Sequence, residues 1–81
     1  MTNKLTLCTE AGNHTYEKVI KNPEIIPVVG DKIMLHQQFS TTYSIVESRS
    51  LEEDLTEVTV HLSKQGHDVG IHLGYNGWAE K

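Results

Sequence analysis

Apolar and polar residues alternate with a period of two along several short stretches of this 81-residue chain. The clearest stretches are YSIVESR at residues 43–49 and TEVTVHLS at residues 56–63. Successive side chains of a β-strand point to opposite faces, so each stretch would form a strand with one apolar face. No long segment repeats at the helical period of 3.6 residues. The pattern therefore predicts an all-β fold.

Turn-forming residues separate five to six such strands. Gly12 and Asn13 lie between the first two strands, KLTLCT and TYEKVIK, and are typical of a tight turn. Pro23 and Pro27 forbid a regular helix before the third strand. We interpret SLEEDL, residues 50–55, as an acidic loop, because so short a segment does not form a stable helix alone.

The middle of the chain resembles the SH3-like small barrels. In the segments VVGDKIML, YSIVESR and TEVTVHL, a Gly-Asp bend leads into one strand and two further strands form a meander. The resemblance covers about half of the chain and implies a binding scaffold. We predict one domain over residues 1–81, an SH3-like barrel or a strongly bent sheet of five to six mainly antiparallel strands. An OB-like barrel is the alternative.

The balance of charges disfavours nucleic acid as a partner. Eleven Asp and Glu against seven Lys and Arg give a net charge of -4, which repels a phosphate backbone. No two basic residues are adjacent in the chain. Nucleic-acid binding by a small barrel is kept as an alternative function.

Cysteine usage and hydropathy indicate a compartment. Cys8 is the only cysteine, so the chain has no internal disulfide and a reducing cytoplasm is expected. The segment MTNKLTLCTE lacks an apolar run of signal-peptide length, and no segment approaches the roughly 20 apolar residues of a membrane span. We expect no membrane association.

Three of the five histidines cluster within HLSKQGHDVGIHLG, residues 61–74. The last alternation, VGIHLG, predicts a strand over residues 68–73. Pairing it with residues 58–63 gives an antiparallel hairpin that turns at Gln65 and Gly66. Both apolar sets then face the same core.

In that register His61, Asp68 and His72 share the outer face of the hairpin, above Gly70. Imidazole and carboxylate groups bind divalent metals, so a metal-dependent role at these three residues is one alternative. The other is that they are ordinary solvated residues on the wet face of the hairpin. We favour the second interpretation and expect no cofactor.

The aromatic residues are the remaining candidates for a binding surface. Tyr75 and Trp78 near the C-terminus, with Phe39 and Tyr43 near a loop, could form an exposed patch that contacts a peptide. Alternatively, Tyr43 and Trp78 close one end of the barrel as core residues. We predict a non-enzymatic interaction module that binds a protein partner, or its own copies, through an exposed strand edge or the Tyr75/Trp78 end.

Overall fold

A computed structural model describes residues 2–36 and 41–81, and within them the chain forms six strands and one helix. In chain order they are β1 (Lys4–Ala11), β2 (His14–Lys21), β3 (Lys32–His36), β4 (Thr41–Leu51), β5 (Glu57–Leu62), α1 (His67–Tyr75) and β6 (Ala79–Glu80).

The strands lie in one mixed sheet, in the order β3-β4-β5-β1-β2-β6, that curls into a half-barrel. Neighbouring strands are antiparallel, except that β1 and β5 at the centre are parallel. The prediction of an all-β, barrel-like fold built from a strongly bent, mainly antiparallel sheet is confirmed. Strands β3, β4 and β5 form the meander expected from the SH3-like resemblance.

The period-two alternation places the apolar side chains on the inner face of the curl. In β5, Val58, Val60 and Leu62 are buried, whereas His61 between them is exposed. Burying each such aliphatic side chain stabilises the fold by about 1.5–3 kcal/mol. The buried apolar residues form one cluster, made of Leu5, Leu7, Ala11, Tyr16, Leu35, Val46, Val58, Val60, Leu62, Val69, Leu73 and Trp78.

The turn predicted at Gly12 and Asn13 is found, whereas the turn predicted at Gln65 and Gly66 belongs to a hairpin that does not form. Gly12 has a φ of 64° in the tight turn between β1 and β2, a backbone conformation that glycine adopts without steric cost. The acidic residues 52–54 lie in the turn between β4 and β5, so the loop predicted over residues 50–55 is confirmed there, whereas Ser50 and Leu51 belong to β4. Within this turn, Asp54 accepts hydrogen bonds from the hydroxyl and the backbone N–H of Thr56, and these bonds lower the pKa of the Asp54 carboxyl.

The predicted hairpin of residues 58–63 and 68–73 is wrong, because the second segment is helical. Strand β5 has β4 on one side and β1 on the other, so it offers no free edge to a returning strand. Gln65 is instead held by β1: its N–H donates to the Glu10 carbonyl at 2.7 Å, and its carbonyl accepts from Gly12 at 3.2 Å. The chain then turns into α1, which packs on the sheet through Val69 and Leu73.

Strand β6 is the short outer strand beside β2. It pairs only with Tyr16 and Glu17, which lie in the first half of β2. Its end is held by a side-chain contact of His14 with Glu80 and by an ion pair of Lys81 with Glu17 at 3.0 Å. The second half of β2 therefore has no strand beside it on this side within the described residues. Across those residues, no helix combines the length and apolar character needed to cross a bilayer.

Candidate functional site

The curled sheet has a gap between its ends, which we call the seam. The seam is bounded by β3 on one side and by residues 18–21 of β2 on the other. A groove of about 210 Å³ runs along it. Small-molecule pockets generally measure ~300–1,000 Å³, so this groove suits individual side chains of an extended chain better than a compact ligand. Its lining residues are Leu7, Lys18, Ile20, Ile33, Met34, Leu35, His36, Asn76 and Trp78.

The backbone of β3 presents hydrogen-bonding groups to the seam. Next to β3, the Val46 N–H donates to the Asp31 carbonyl at 2.9 Å. Residues of an antiparallel ladder alternate between pairs that exchange hydrogen bonds and pairs that do not. Ile33 therefore bonds to β4, whereas the backbone N–H and C=O of Lys32 and Met34 point away from β4.

The edge of β2 that faces the seam also presents backbone hydrogen-bonding groups to it. The Asn22 N–H donates to the Asn3 carbonyl at 2.9 Å, so the even-numbered residues of β2 exchange hydrogen bonds with β1. The odd-numbered residues point the other way, as the bond from the Lys81 N–H to the Thr15 carbonyl at 2.8 Å illustrates. In the half of β2 that β6 leaves uncovered, the backbone groups of Val19 and Lys21 thus point toward the seam.

Asn76, just after α1, bridges one end of the groove. Its Nδ2 donates to the carbonyl of His36 at 2.6 Å and to the carbonyl of His72 at 2.9 Å. Its own carbonyl accepts from the Lys18 ammonium group at 3.4 Å. These contacts fix the end of β3 relative to α1 and hold a positive charge at the groove wall.

The outer surface beside the seam carries exposed apolar side chains. Met34 of β3 lies directly across from Tyr43 of β4, and Ile45 is the next residue of β4 on the same face. Tyr43 is 58% exposed and Met34 is 52% exposed. The Lys32 ammonium group lies 5.8 Å from the centre of the Tyr43 ring. The β3 edge therefore combines backbone groups that point away from β4 with an apolar outer face.

The predicted aromatic residues that the structure describes differ in their burial. Trp78 is buried in the core and lines the floor of the groove, as its core interpretation expected. Tyr75 is 85% exposed at the end of α1, whereas Tyr43 is exposed on β4. Phe39 lies outside the described residues. The proposal of an exposed Tyr75/Trp78 patch is therefore wrong for Trp78, whose burial is needed to fill so small a core.

The residues His61, Asp68 and His72 do not share one face, as the predicted hairpin required, because the sheet separates them. His61 points outward from β5, between the inward-facing Val60 and Leu62. Asp68 and His72 belong to α1, which packs on the opposite, inner face. In the ranges 2–36 and 41–81, no group of three or more His, Cys, Asp or Glu side chains is arranged to hold a metal ion.

A second, more polar hollow lies on the outer face around Cys8 and His61, which are paired across β1 and β5. Burial raises the pKa of the Cys8 thiol above its ordinary value, and the charge of Glu17 raises it further. The thiol therefore stays protonated at neutral pH, which is the opposite of what an activated nucleophile requires.

The seam is not evident from the sequence. The alternation in β3 correctly places Ile33 and Leu35 on one face and Met34 and His36 on the other. It does not reveal which strands remain without a neighbour, because that depends on pairings between distant segments. Comparison with family models, with curated proteins and with solved structures found no match to this chain.

Proposed function

We propose that this chain is a non-enzymatic interaction module that binds an extended segment of a protein partner in the seam, by strand addition. The observation that supports it is the pair of strand edges with outward-pointing backbone groups, at Val19 and Lys21 on one side and Lys32 and Met34 on the other. In strand addition, backbone hydrogen bonds supply affinity, and pockets for alternate side chains supply specificity.

The groove floor supports the same proposal. Ile20, Ile33 and Leu35 offer aliphatic side chains, and Trp78 offers an aromatic ring. Every second side chain of an inserted strand would point onto this floor. Such contacts would remove apolar surface from water on both molecules, at about 25 cal/mol per Å².

A second copy of the chain is the competing occupant, and the charges of β3 disfavour it. Antiparallel pairing of two β3 strands about Met34 would place Lys32 of one copy opposite His36 of the other. This register offers no carboxylate to the Lys32 ammonium group of either copy, so the pairing gains no ion pair. The net charge of -4 on each copy adds a weak repulsion. We therefore propose a different protein as the partner, and a cytoplasmic location consistent with the lone, half-buried Cys8 thiol.

The experiment is an amide NMR titration of the isotope-labelled chain with a capped peptide of alternating valine and threonine, about six residues long. We expect saturable shifts at residues 18–21 and 32–36. A peptide of the same sequence with alternate amides N-methylated is the control, because it has lost the donors on one edge. If both peptides leave these residues unmoved, strand addition in the seam is wrong.

A matched pair of variants at Met34 sharpens this test. Met34→Pro removes the N–H that points toward the seam and leaves the hydrogen bonds between β3 and β4 intact. Proline is tolerated in an edge strand when its missing N–H would point away from the neighbouring strand. Loss of about 1 kcal/mol for one hydrogen bond would weaken peptide binding about fivefold. Met34→Leu keeps the N–H and a similar volume, so it should bind like the unmodified chain.

A further inference from the structure

We infer that the seam prefers a partner segment in which apolar residues alternate with acidic ones. This inference rests on the proposed strand addition and specifies the chemistry of the occupant. An inserted strand has two faces, and the two sides of the seam differ in chemical character.

The inner side of the seam is apolar. The groove floor consists mainly of apolar side chains that point inward from the curled sheet, together with the indole of Trp78, and the polar residues His36 and Asn76 line one end. Lys18 also lines the groove, but its ammonium group is engaged with the Asn76 carbonyl at one end. Residues of the partner that point inward would therefore be apolar. The aliphatic floor residues are Leu7, Ile20, Ile33 and Leu35.

The outer side of the seam is basic. On β3 the outward residues are Lys32, Met34 and His36, and on the uncovered half of β2 they are Val19 and Lys21. These residues include two lysines and a histidine but no carboxylate. Outward side chains of an inserted strand would be direct neighbours of these groups on both sides.

Charge complementarity then selects the occupant. A carboxylate opposite or diagonal to a lysine on a strand pair contributes about 0.2–1 kcal/mol, and a second basic group destabilises by similar amounts. Although the whole molecule is acidic, charges more than about 8 Å away are largely screened at physiological ionic strength. The outward carboxylate on β2 is Glu17, two residues from Val19, and it is already paired with the Lys81 ammonium group at 3.0 Å, so it offsets the basic rim little.

The test compares three capped peptides in which valine alternates with glutamate, threonine or lysine, using the amide shifts of residues 18–21 and 32–36. We expect the glutamate peptide to bind about tenfold more tightly than the threonine peptide, which corresponds to ~1.4 kcal/mol. The lysine peptide should bind most weakly. Added salt should reduce the difference, because it screens exposed charges.

Charge-reversal variants localise the effect. Lys21→Glu and Lys32→Glu should each narrow the preference for glutamate, and together they should reverse it in favour of lysine. Lys64→Glu is the matched control, because it changes the net charge equally but borders the hollow around Cys8 on the outer face. It should leave the preference intact.

The outcomes separate the inference from the proposed function. If the threonine peptide binds and the glutamate peptide binds no better, the inference is wrong and strand addition stands. If none of the three peptides binds, both are wrong. A concentration-dependent dimer that protects the same amides, seen by sedimentation and hydrogen exchange, would overturn the inference in favour of a second copy.

Discussion

Two glycines of α1 lie in opposite packing environments. A Cβ on Gly70 would lie 2.8 Å from the Cβ of Ala11 and 3.0 Å from the ring of Tyr16. A Cβ on Gly74 would meet nothing within 4 Å. The absence of a side chain at Gly70 thus allows α1 to approach β1 and β2 closely, which is a packing role and not space for a metal ion.

We predict that Gly70→Ala destabilises the fold by about 1–2 kcal/mol. Overpacking costs about 1–3 kcal/mol, and the better helix propensity of alanine recovers less than about 1 kcal/mol. Gly74→Ala gains the same propensity without a clash, so it should stabilise the fold by up to ~1 kcal/mol. Urea unfolding of the two variants measures both values. Equal effects at the two positions would contradict the close approach of the helix.

Three residues form a partly buried polar group between the strands. The hydroxyls of Thr9 and Ser44 both donate to the Ser63 carbonyl at 3.0 Å. The Ser44 and Ser63 hydroxyls also lie 2.9 Å apart. Both donors are buried, so these bonds satisfy groups that water does not reach.

We predict that Thr9→Val and Ser44→Ala each cost about 0.5–1.5 kcal/mol of unfolding free energy. Each single variant leaves the Ser63 carbonyl one hydroxyl donor. The double variant removes both, so it should cost more than the sum of the two single values. Denaturant unfolding of the four proteins in this cycle measures the coupling. Simple additivity would mean that water replaces the missing donors.

The helix is the element that sequence analysis could not predict. Val69, Ile71 and Leu73 alternate as a strand would, and Gly70 and Gly74 lower the helix propensity of the segment. Its helical structure depends on tertiary contacts, because β5 already has two neighbours and Gln65 is bound to the end of β1. Strands β1 to β5 lie where the period-two patterns predicted strands, whereas the two-residue β6 is too short to show such a pattern.

Strand and helix assignments for this segment differ in a measurable way. As a strand, it would place Ile71 on the same face as Val69 and Leu73. In the helix, Val69 and Leu73 are four residues apart and buried, whereas Ile71 is 52% exposed. We predict that Leu73→Ala costs about 2–5 kcal/mol. Ile71→Ala should change stability by less than about 0.5 kcal/mol. Comparable losses from both variants in thermal or urea unfolding would favour the strand.

The parallel pairing of β1 with β5 determines the architecture of the whole molecule. It joins segments that are more than 50 positions apart, in the register Leu5 with Val58 and Leu7 with Val60. No local pattern in either segment specifies this pairing. It places the most buried strands at the centre and leaves β3 and β2 facing each other across the seam. The seam could therefore not be predicted from alternation alone, although the inner face of each strand could.

Such a sheet should lose its structure from the edges inward. Strand β5 has a neighbour on both sides, and Val60 is fully buried within it, so its amide should exchange only when the whole domain unfolds. On β3 the Ile33 and Leu35 amides bond to β4, whereas the Met34 amide points toward the seam. We predict slow exchange at Val60, intermediate exchange at Ile33 and Leu35, and fast exchange at Met34.

Native-state hydrogen exchange followed by NMR in increasing denaturant measures this gradient. Exchange at Val60 should depend on denaturant as global unfolding does, because it requires exposure of the whole core. Exchange at Met34 should be nearly independent of denaturant, since it requires no unfolding. Protection of Met34 equal to that of Val60 would mean that β3 already pairs across the seam and that the barrel is closed. In that state the molecule would have no open edge for a partner, and binding would first require the seam to open.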